Sequence, residues 1–308
     1  MSAPKRIGLV GARGFVGQEL LTLLDADETC VVDVVVSQGA PGRTLAGHTL
    51  VDLSPSTLVA RALDGVVLGL QNGQSAAWVQ ALGSDVVVVD LSADWRFDPM
   101  WRYGLVEKER ARLQGSKRIA NPGCYSTAAQ LALLPFHDIV DRAHVFGISG
   151  YSGAGSSPSK RNDAALLHDN LMPYDLIGHT QEKEMRAQAG VDVRFLPHVA
   201  SFFRGISCTI AVDLKQSVSL AEAGDRLRSR YQHDPLVRVV DEEPLVKDAV
   251  GRHSVQIGGL RVDGKRLVVV ATLDNLLKGA ASQALQNLHL GLGLPELAGI
   301  ALTPKEPS

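Results

Sequence analysis

Three cysteines occur in the 308 residues, and one stands where a thiol could do chemistry. Cys124 follows the turn Asn121-Pro122-Gly123 and precedes Tyr125-Ser126. Pro122 and Gly123 punctuate the end of a short apolar segment at 118–120, and the Ala- and Leu-rich run 127–136 reads as a helix. Cys124 is therefore expected at or near a helix N-terminus. Unpaired N–H groups and the helix dipole there favour negative charge and lower a thiol's pKa. A nucleophilic thiolate is one reading of this position, and a small buried hydrophobe is the other. Cys30, just before a strand, and Cys208, alternating with apolar residues, read as packing.

A second chemical signal opens the chain. Gly11-Ala12-Arg13-Gly14-Phe15-Val16-Gly17 follows a short apolar strand at 6–10 and leads into residues 19–24, whose apolar positions have helical spacing. Glycines at this spacing permit a tight turn, close approach of backbone to a pyrophosphate, and close packing of helix on strand. Three glycines can also serve a turn alone. The strand-turn-helix setting points to dinucleotide binding, with Gly11, Gly14, Phe15, Val16 and Gly17 as contacts. The next strand, 31–36, ends at Ser37-Gln38, where NAD-preferring sites place an acidic residue for the ribose 2′-hydroxyl. The only candidate, Asp33, is followed by three valines and so lies in mid-strand. Ser37 can donate to a 2′-phosphate and Arg13 can supply positive charge, which favours NADP; a plain solvated charge is the alternative for Arg13.

Elements must hold these groups in place. Strands at 65–70 and 85–91 flank a helical segment at 74–82, and the valine run 86–89 suits a strand buried on both faces of a parallel sheet. Successive strand–helix units give a doubly wound sheet, whose ligands collect at the carboxyl ends of its strands. The loops Gln71-Asn72-Gly73 and Ser92-Ala93-Asp94-Trp95-Arg96-Phe97 and the Cys124 turn all fall there. Beyond them the texture changes. A glycine- and serine-rich stretch, 150–159, ends in Lys160-Arg161, either a flexible linker or small donors with charge suited to an anion. Strands at 145–149, 193–196, 205–214, 254–262 and 266–273, with helices from near His179 and at 219–231, suggest an antiparallel or mixed sheet in a second domain. A last helix, 276–290, has the spacing to return to the first domain. The expected division is 1–123 with 275–308, against 124–274, and the tail from Thr303 is expected to fray.

The bulk properties exclude several classes. The chain is long enough for two domains. A net charge of −2 with 45% hydrophobic and 21% charged residues lacks the basic footprint of general nucleic-acid binding. No signal peptide is visible, and apolar runs fall far short of the roughly 20 residues that span a bilayer. A reducing, cytoplasmic setting is the expectation. Three cysteines make no disulfide framework, and no His/Cys cluster has zinc-ligand spacing, so no metal is expected.

The chain resembles the N-acetyl-gamma-glutamyl-phosphate reductases, NADPH-dependent enzymes of arginine biosynthesis within the wider semialdehyde dehydrogenase group. The resemblance rests on the glycine turn, Leu91-Ser92-Ala93-Asp94-Trp95-Arg96, Asn121-Pro122-Gly123-Cys124-Tyr125, Tyr151-Ser152-Gly153-Ala154-Gly155, Phe203-Arg204-Gly205-Ile206 and Asp274-Asn275-Leu276-Leu277-Lys278-Gly279-Ala280-Ala281. It implies an α/β Rossmann domain joined to a glyceraldehyde-3-phosphate-dehydrogenase-like α+β domain with a mixed, largely antiparallel sheet. It implies a homo-oligomer, dimer or tetramer, and leaves room for association with the upstream acetylglutamate kinase. It also implies thioester chemistry on Cys124, which needs an activated thiol and a positioned acid/base.

By the same resemblance His179 is the acid/base, in a segment that reads His-Thr-Gln-Glu where the family usually has His-Thr-Pro-Glu; His198 is its rival. Arg204 would anchor a substrate carboxylate or phosphate, with Arg96, Asn121 and Lys160 as further substrate contacts. Ser152 and Gly153 would line the substrate site, and Ser92 and Asn275 would lie by the cofactor. The chain is short for the family, and its loop after Gly155 and its single histidine before Thr180 depart from the common pattern. Those departures bear on the acyl group recognised. Aspartyl phosphate or a carrier-linked acyl phosphate is the alternative substrate, and an NADP(H)-sensing protein is the non-enzyme alternative.

Overall fold

The computed structural model describes residues 3–302; the tail from Thr303 lies outside the described residues. Two compact units are formed, one running up to Pro122 and resuming at Ala280–Ala301, the other Gly123–Gly279. The later crossing falls after Gly279, so residues 275–279 belong to the second unit.

In the first unit the strands are β1 (Lys5–Val10), β2 (Cys30–Val36), β3 (Thr44–Leu45), β4 (His48–Val51), β5 (Gly65–Leu68), β6 (Val87–Asp90), β7 (Arg102–Tyr103) and β8 (Arg118–Ala120). They form one sheet in the order β3-β4-β2-β1-β5-β6-β8-β7. Every ladder is parallel except β3 with β4. Val66, Val67, Leu68, Val87, Val88 and Val89 are fully buried, because helices cover both faces. Each such side chain contributes roughly 1.5 kcal/mol or more. Asp33 sits at an irregularity of the β1–β2 register, between Val32 opposite Ile7 and Val34 opposite Gly8, and pairs with Arg6 at 2.8 Å. It is in mid-strand and committed to an ion pair.

The helix Ser282–Leu292 is buried along nearly its whole length. It lies so close to the sheet that a Cβ on Gly291 would meet Val87 at 2.7 Å and one on Gly65 would meet Leu288 at 2.8 Å. His289, wholly buried, contacts Asp27 at 2.8 Å and fastens this helix to the corner after the helix Phe15–Asp25. Burial pushes the neighbouring Cys30 thiol up to about 12, as suits a packing residue.

The second unit contains β9 (Val140–Gly150), β10 (Leu171–Pro173), β11 (Asp192–Ala200), β12 (Ile206–Leu214), β13 (Val237–Val239), β14 (Val255–Asp263) and β15 (Arg266–Leu273). Their order is β10-β11-β9-β12-β15-β14-β13. Only β11 with β9 and β13 with β14 run parallel, so the sheet is mixed and largely antiparallel. The helices Cys124–Leu133, Thr180–Ala189 and Leu220–Tyr231 pack on one face. The opposite face carries an in-register row of Leu196, Phe146, Thr209 and Val270, with Leu196 and Phe146 exposed. Among the described residues no helix is long and apolar enough to cross a membrane.

Candidate active site

In the first unit the glycine turn opens the helix Phe15–Asp25, with Gly14 as its N-cap and no side-chain cap hydrogen bond. Gly11 has φ +88°, and a Cβ there would strike the Gly69 carbonyl oxygen at 2.2 Å; only glycine lets these two strand ends meet. A Cβ on Gly17 would meet the Ala12 backbone at 2.6 Å, so this glycine lets the helix close on its own turn. Gly14 differs. Its Cβ would touch only the Gly11 carbonyl at 3.9 Å, so packing leaves space at this position. Arg13 donates to the Gln38 carbonyl at 2.8 Å, which brings its guanidinium to the end of β2, beside buried Ser37.

The loops after β5 and β6 are stapled to each other. Asp94 accepts from the Gly73 N–H at 2.8 Å and the Ser75 hydroxyl at 2.9 Å, and the Asn72 side chain accepts from the Ala93 N–H at 2.9 Å. Ser92 donates through its N–H and hydroxyl to Asp90, at 2.8 and 2.9 Å, and burial holds the Asp90 carboxyl above its usual range. Arg96 is buried and donates to the carbonyls of Asn121 and Leu91, both at 2.9 Å. The Asn121 side chain accepts from Asn287 at 2.9 Å and donates to the Ala280 carbonyl. Ser92, Arg96 and Asn121 thus shape the strand ends through their own hydrogen bonds.

In the second unit Cys124 is the first residue of the helix Cys124–Leu133, three residues earlier than the sequence suggested. The rest of that helix is buried, whereas Cys124 is only partly so. Its start is sewn to the helix Thr180–Ala189. The Gly123 N–H donates to Oε1 of fully buried Glu184 at 2.9 Å, and the Ser126 N–H donates to Oε1 of Gln181 at 3.0 Å. Gly279 packs against the nucleophile candidate: a Cβ there would lie 2.8 Å from the Cβ of Cys124. Cys208, by contrast, is fully buried in β12 and its thiol is pushed far up.

His179 is the N-cap of the helix Thr180–Ala189, its Nδ1 accepting from the Gln181 N–H at 3.0 Å. Its ring meets Tyr174 and Phe195 edge-on at 5.6 and 5.2 Å, and Phe195 in turn meets Tyr125 at 4.9 Å. Burial lowers the His179 pKa. Burial likewise raises the Tyr174 hydroxyl to about 12, with the Cys124 charge adding to the rise. Tyr174 is thus a direct neighbour of the imidazole. His198 lies three residues beyond Phe195 in β11 and so points from the opposite face, where its ring meets Phe146 at 4.5 Å.

In the same unit, Arg204 contacts Asp274 through Nε at 2.7 Å and Nη2 at 3.0 Å, so its fork has a fixed orientation. Asn275 accepts from the Gly205 N–H at 2.6 Å and donates to the Ser152 hydroxyl at 2.9 Å. The amide of Asn275 therefore ties the Ser152 turn to the Arg204 loop within this unit. A Cβ on Gly153 would meet Oγ of Ser149 at 2.8 Å. The loop that follows is no linker: Asn162 donates to the Gly155 and Ser157 carbonyls at 2.9 and 2.8 Å. Arg161 lies 4.9 Å over the Tyr174 ring, while Lys160 is exposed. The sequence reading missed Gln181, Glu184 and Tyr174 as members of this site. The i, i+3 spacing of Gln181 and Glu184 on one helical face was their available signal.

Two family models match: the semialdehyde dehydrogenase NAD binding domain over residues 6–116 and the semialdehyde dehydrogenase dimerisation domain over residues 124–275. An N-acetyl-gamma-glutamyl-phosphate reductase of Xanthomonas campestris pv. campestris is 47% identical, covering 96% of this chain and 98% of its own. One of Xylella fastidiosa is 46% identical, covering 98% and 95%. Among solved structures, aspartate semialdehyde dehydrogenase II from Vibrio cholerae superposes with a TM-score of 0.77 at 21% identity, over 93% of this chain and 98% of that one. The aspartate semialdehyde dehydrogenase with NADP from Candida albicans gives 0.71 at 17%, over 94% and 98%. These structural likenesses speak for the fold, while the full-length identities speak for descent. The chain belongs to the semialdehyde dehydrogenase family and, within it, to the N-acetyl-gamma-glutamyl-phosphate reductases.

Proposed function

We propose that this chain reduces N-acetyl-gamma-glutamyl phosphate to N-acetylglutamate 5-semialdehyde, with release of phosphate, at the expense of NADPH, as a cytoplasmic step of arginine biosynthesis. The supporting observation is Cys124 itself, partly exposed at the head of a buried helix in a turn whose Gly123 and Ser126 N–H groups are held by Glu184 and Gln181 of the helix Thr180–Ala189. The Cys124 thiolate attacks the acyl carbon, the bond to the phosphate oxygen breaks, and a thioester remains on the sulfur. When bound, NADPH supplies the hydride that reduces this thioester. The resulting thiohemiacetal oxyanion collapses by breaking the carbon–sulfur bond, which frees the aldehyde and restores the thiolate.

The residues fit NADP. The space at Gly14 and the helix N-terminus it opens suit a pyrophosphate, and Arg13 with Ser37 suits a 2′-phosphate. His179 is the imidazole that serves Cys124, since His198 projects from the far face of the sheet. Arg204, oriented by Asp274, holds the substrate carboxylate, with Ser152 and Gly153 lining the acyl chain and Lys160 as an outer charge. The second unit forms the oligomer contact through the open sheet face bearing Phe146 and Leu196, giving a dimer or a pair of dimers.

The test is the reverse assay: phosphate- and NADP-dependent oxidation of N-acetylglutamate semialdehyde, run beside NAD and beside aspartate semialdehyde. The acetylated substrate with NADP is expected to give the highest kcat/KM, and Cys124→Ser is expected to lose several orders of magnitude. A preference for aspartate semialdehyde would refute the substrate, and a Ser variant within tenfold of the parent would refute the thioester.

A further inference from the structure

Gln181 touches both halves of the proposed chemistry. Its main-chain N–H donates to Nδ1 of His179 at 3.0 Å, its side-chain Oε1 takes the Ser126 N–H at 3.0 Å, and its carbonyl takes the Ser126 hydroxyl at 3.4 Å. A backbone N–H can only donate, so Nδ1 must be the unprotonated nitrogen of the ring. The neutral imidazole then carries its proton on Nε2. Imidazolium would set an Nδ1–H against the Gln181 N–H and cost the helix its cap. Burial acts in the same direction. Asp175, Glu182 and Glu184 favour the charged ring, Arg161 opposes it, and the Tyr174 and Phe195 rings offer it no acceptor; the net effect is a lowered His179 pKa.

We infer that Gln181 is a positioning residue that holds His179 neutral with its proton on Nε2, so that His179 acts as a hydrogen-bond donor to the oxyanion on the acyl carbon and not as the base that removes the thiol proton. The inference rests on the thioester reading above and assigns a direction to its imidazole. A neutral N–H donor at a helix N-terminus stabilises developing negative charge without a net proton transfer. That is all the two steps require of it: attack by the thiolate creates an oxyanion whose collapse expels phosphate, and the oxyanion left after reduction collapses by returning the carbon–sulfur electron pair to sulfur, with no proton gained or lost at the carbonyl oxygen in either. One residue thereby fixes both the tautomer of the ring and, through Ser126, the register of the nucleophile's helix against it.

The experiment is long-range 1H–15N correlation on protein labelled with 15N-histidine, His179 being assigned by the signal missing in His179→Gln. The wild-type ring is expected to show an unprotonated Nδ1 and a protonated Nε2 near neutral pH. Gln181→Ala keeps the main-chain N–H and loses the bridge to Ser126, whereas Gln181→Pro also removes the N–H, at a first-turn position where proline is tolerated. Titration of His179 is expected about one pH unit higher in Gln181→Pro than in Gln181→Ala, and the acid limb of kcat should move with it while KM stays within about twofold. An Nδ1-protonated ring in the wild-type protein, or equal titration in the two variants, would overturn the inference. The wild-type spectrum decides the tautomer even if Gln181→Pro fails to fold. It is read without turnover, so failure of the reductase activity would sink the functional reading and leave this result standing.

Discussion

Asp274 is the carboxylate that fastens the Arg204, Gly251 and Leu276 segments of the second unit together, and replacing it by asparagine should be expensive. The side chain is fully buried and faces five donors. Oδ1 takes Nη2 of Arg204 at 3.0 Å and the N–H groups of Leu276 and Leu277 at 2.9 and 3.3 Å. Oδ2 meets Nε of Arg204 at 2.7 Å and the Gly251 N–H at 2.7 Å. An asparagine keeps one oxygen and turns the other into an amide group. Whichever way it is placed, at least two donors then confront N–H2 instead of oxygen, each costing about 1–3 kcal/mol. Arg204 also loses its counter-charge, but its side chain is 20% exposed, so water recovers part of that loss. The expected total is about 3–5 kcal/mol.

Tryptophan fluorescence is the wrong readout, because Trp78, Trp95 and Trp101 all belong to the first unit. Amide hydrogen exchange of β12 and β15, which lead into and out of this cluster, reports on the second unit directly. A loss of about 3 kcal/mol accelerates globally exchanging amides by at least about 100-fold, since 1.4 kcal/mol is a factor of ten. The same variant should raise KM for the acyl substrate more than it lowers kcat, because the guanidinium proposed to bind the substrate carboxylate is no longer aimed. Exchange within threefold of wild type, with KM unchanged, would show that Asp274 neither holds the unit together nor orients Arg204.

Arg13→Ala should cost about tenfold in KM for NADP and little for NAD, read as the ratio of kcat/KM values for the two cofactors; an unchanged ratio would remove Arg13 from 2′-phosphate recognition. Because burial lowers the His179 pKa below its ordinary 6.5, the unfolded chain binds a proton there that the folded chain does not. Stability should therefore fall as pH drops below about 6.5, by up to about 1.4 kcal/mol per unit until the folded value is passed, and His179→Asn, which can still cap the helix, should flatten that slope in denaturant titrations. Phe146→Glu with Leu196→Glu, adjacent across β9 and β11, should yield a smaller particle by light scattering; an unchanged mass would move the oligomer contact off this sheet face.

The sequence made the central elements readable because they obey simple periods. Valine runs flanked by glycine turns produced β5 and β6, and amphipathic spacing produced the helix Leu220–Tyr231, which Ser219 caps by accepting the Glu222 N–H at 3.1 Å. The short strands β3, β4, β7, β10 and β13 went unread, since two to four residues carry too few alternations to register as a period. The start of the Cys124 helix was placed late for a different reason. Cys-Tyr-Ser is a weak helix-forming triplet, and what recruits it is the tertiary capture of the Gly123 and Ser126 N–H groups by Glu184 and Gln181, some 60 residues on.

The same distinction separates which site residues could be named from what they do. Residue type and loop position nominate Arg96, Ser92 and Asn121 as ligand contacts, because strand-end loops of a parallel sheet carry ligands. Their partners decide otherwise for the atoms concerned: Nε of Arg96 and the Ser92 hydroxyl are already engaged with the Asn121 carbonyl and the Asp90 carboxylate. A motif specifies a surface to be built, and some of its polar residues are the frame of that surface. Telling frame from contact requires knowing which donors each side chain meets, and that depends on register between segments far apart in the chain. Gln181 shows the opposite case. A residue with no obvious chemistry becomes decisive because its backbone N–H chooses the tautomer of His179, a choice set by main-chain geometry at a helix cap and so invisible to any reading of side-chain type alone.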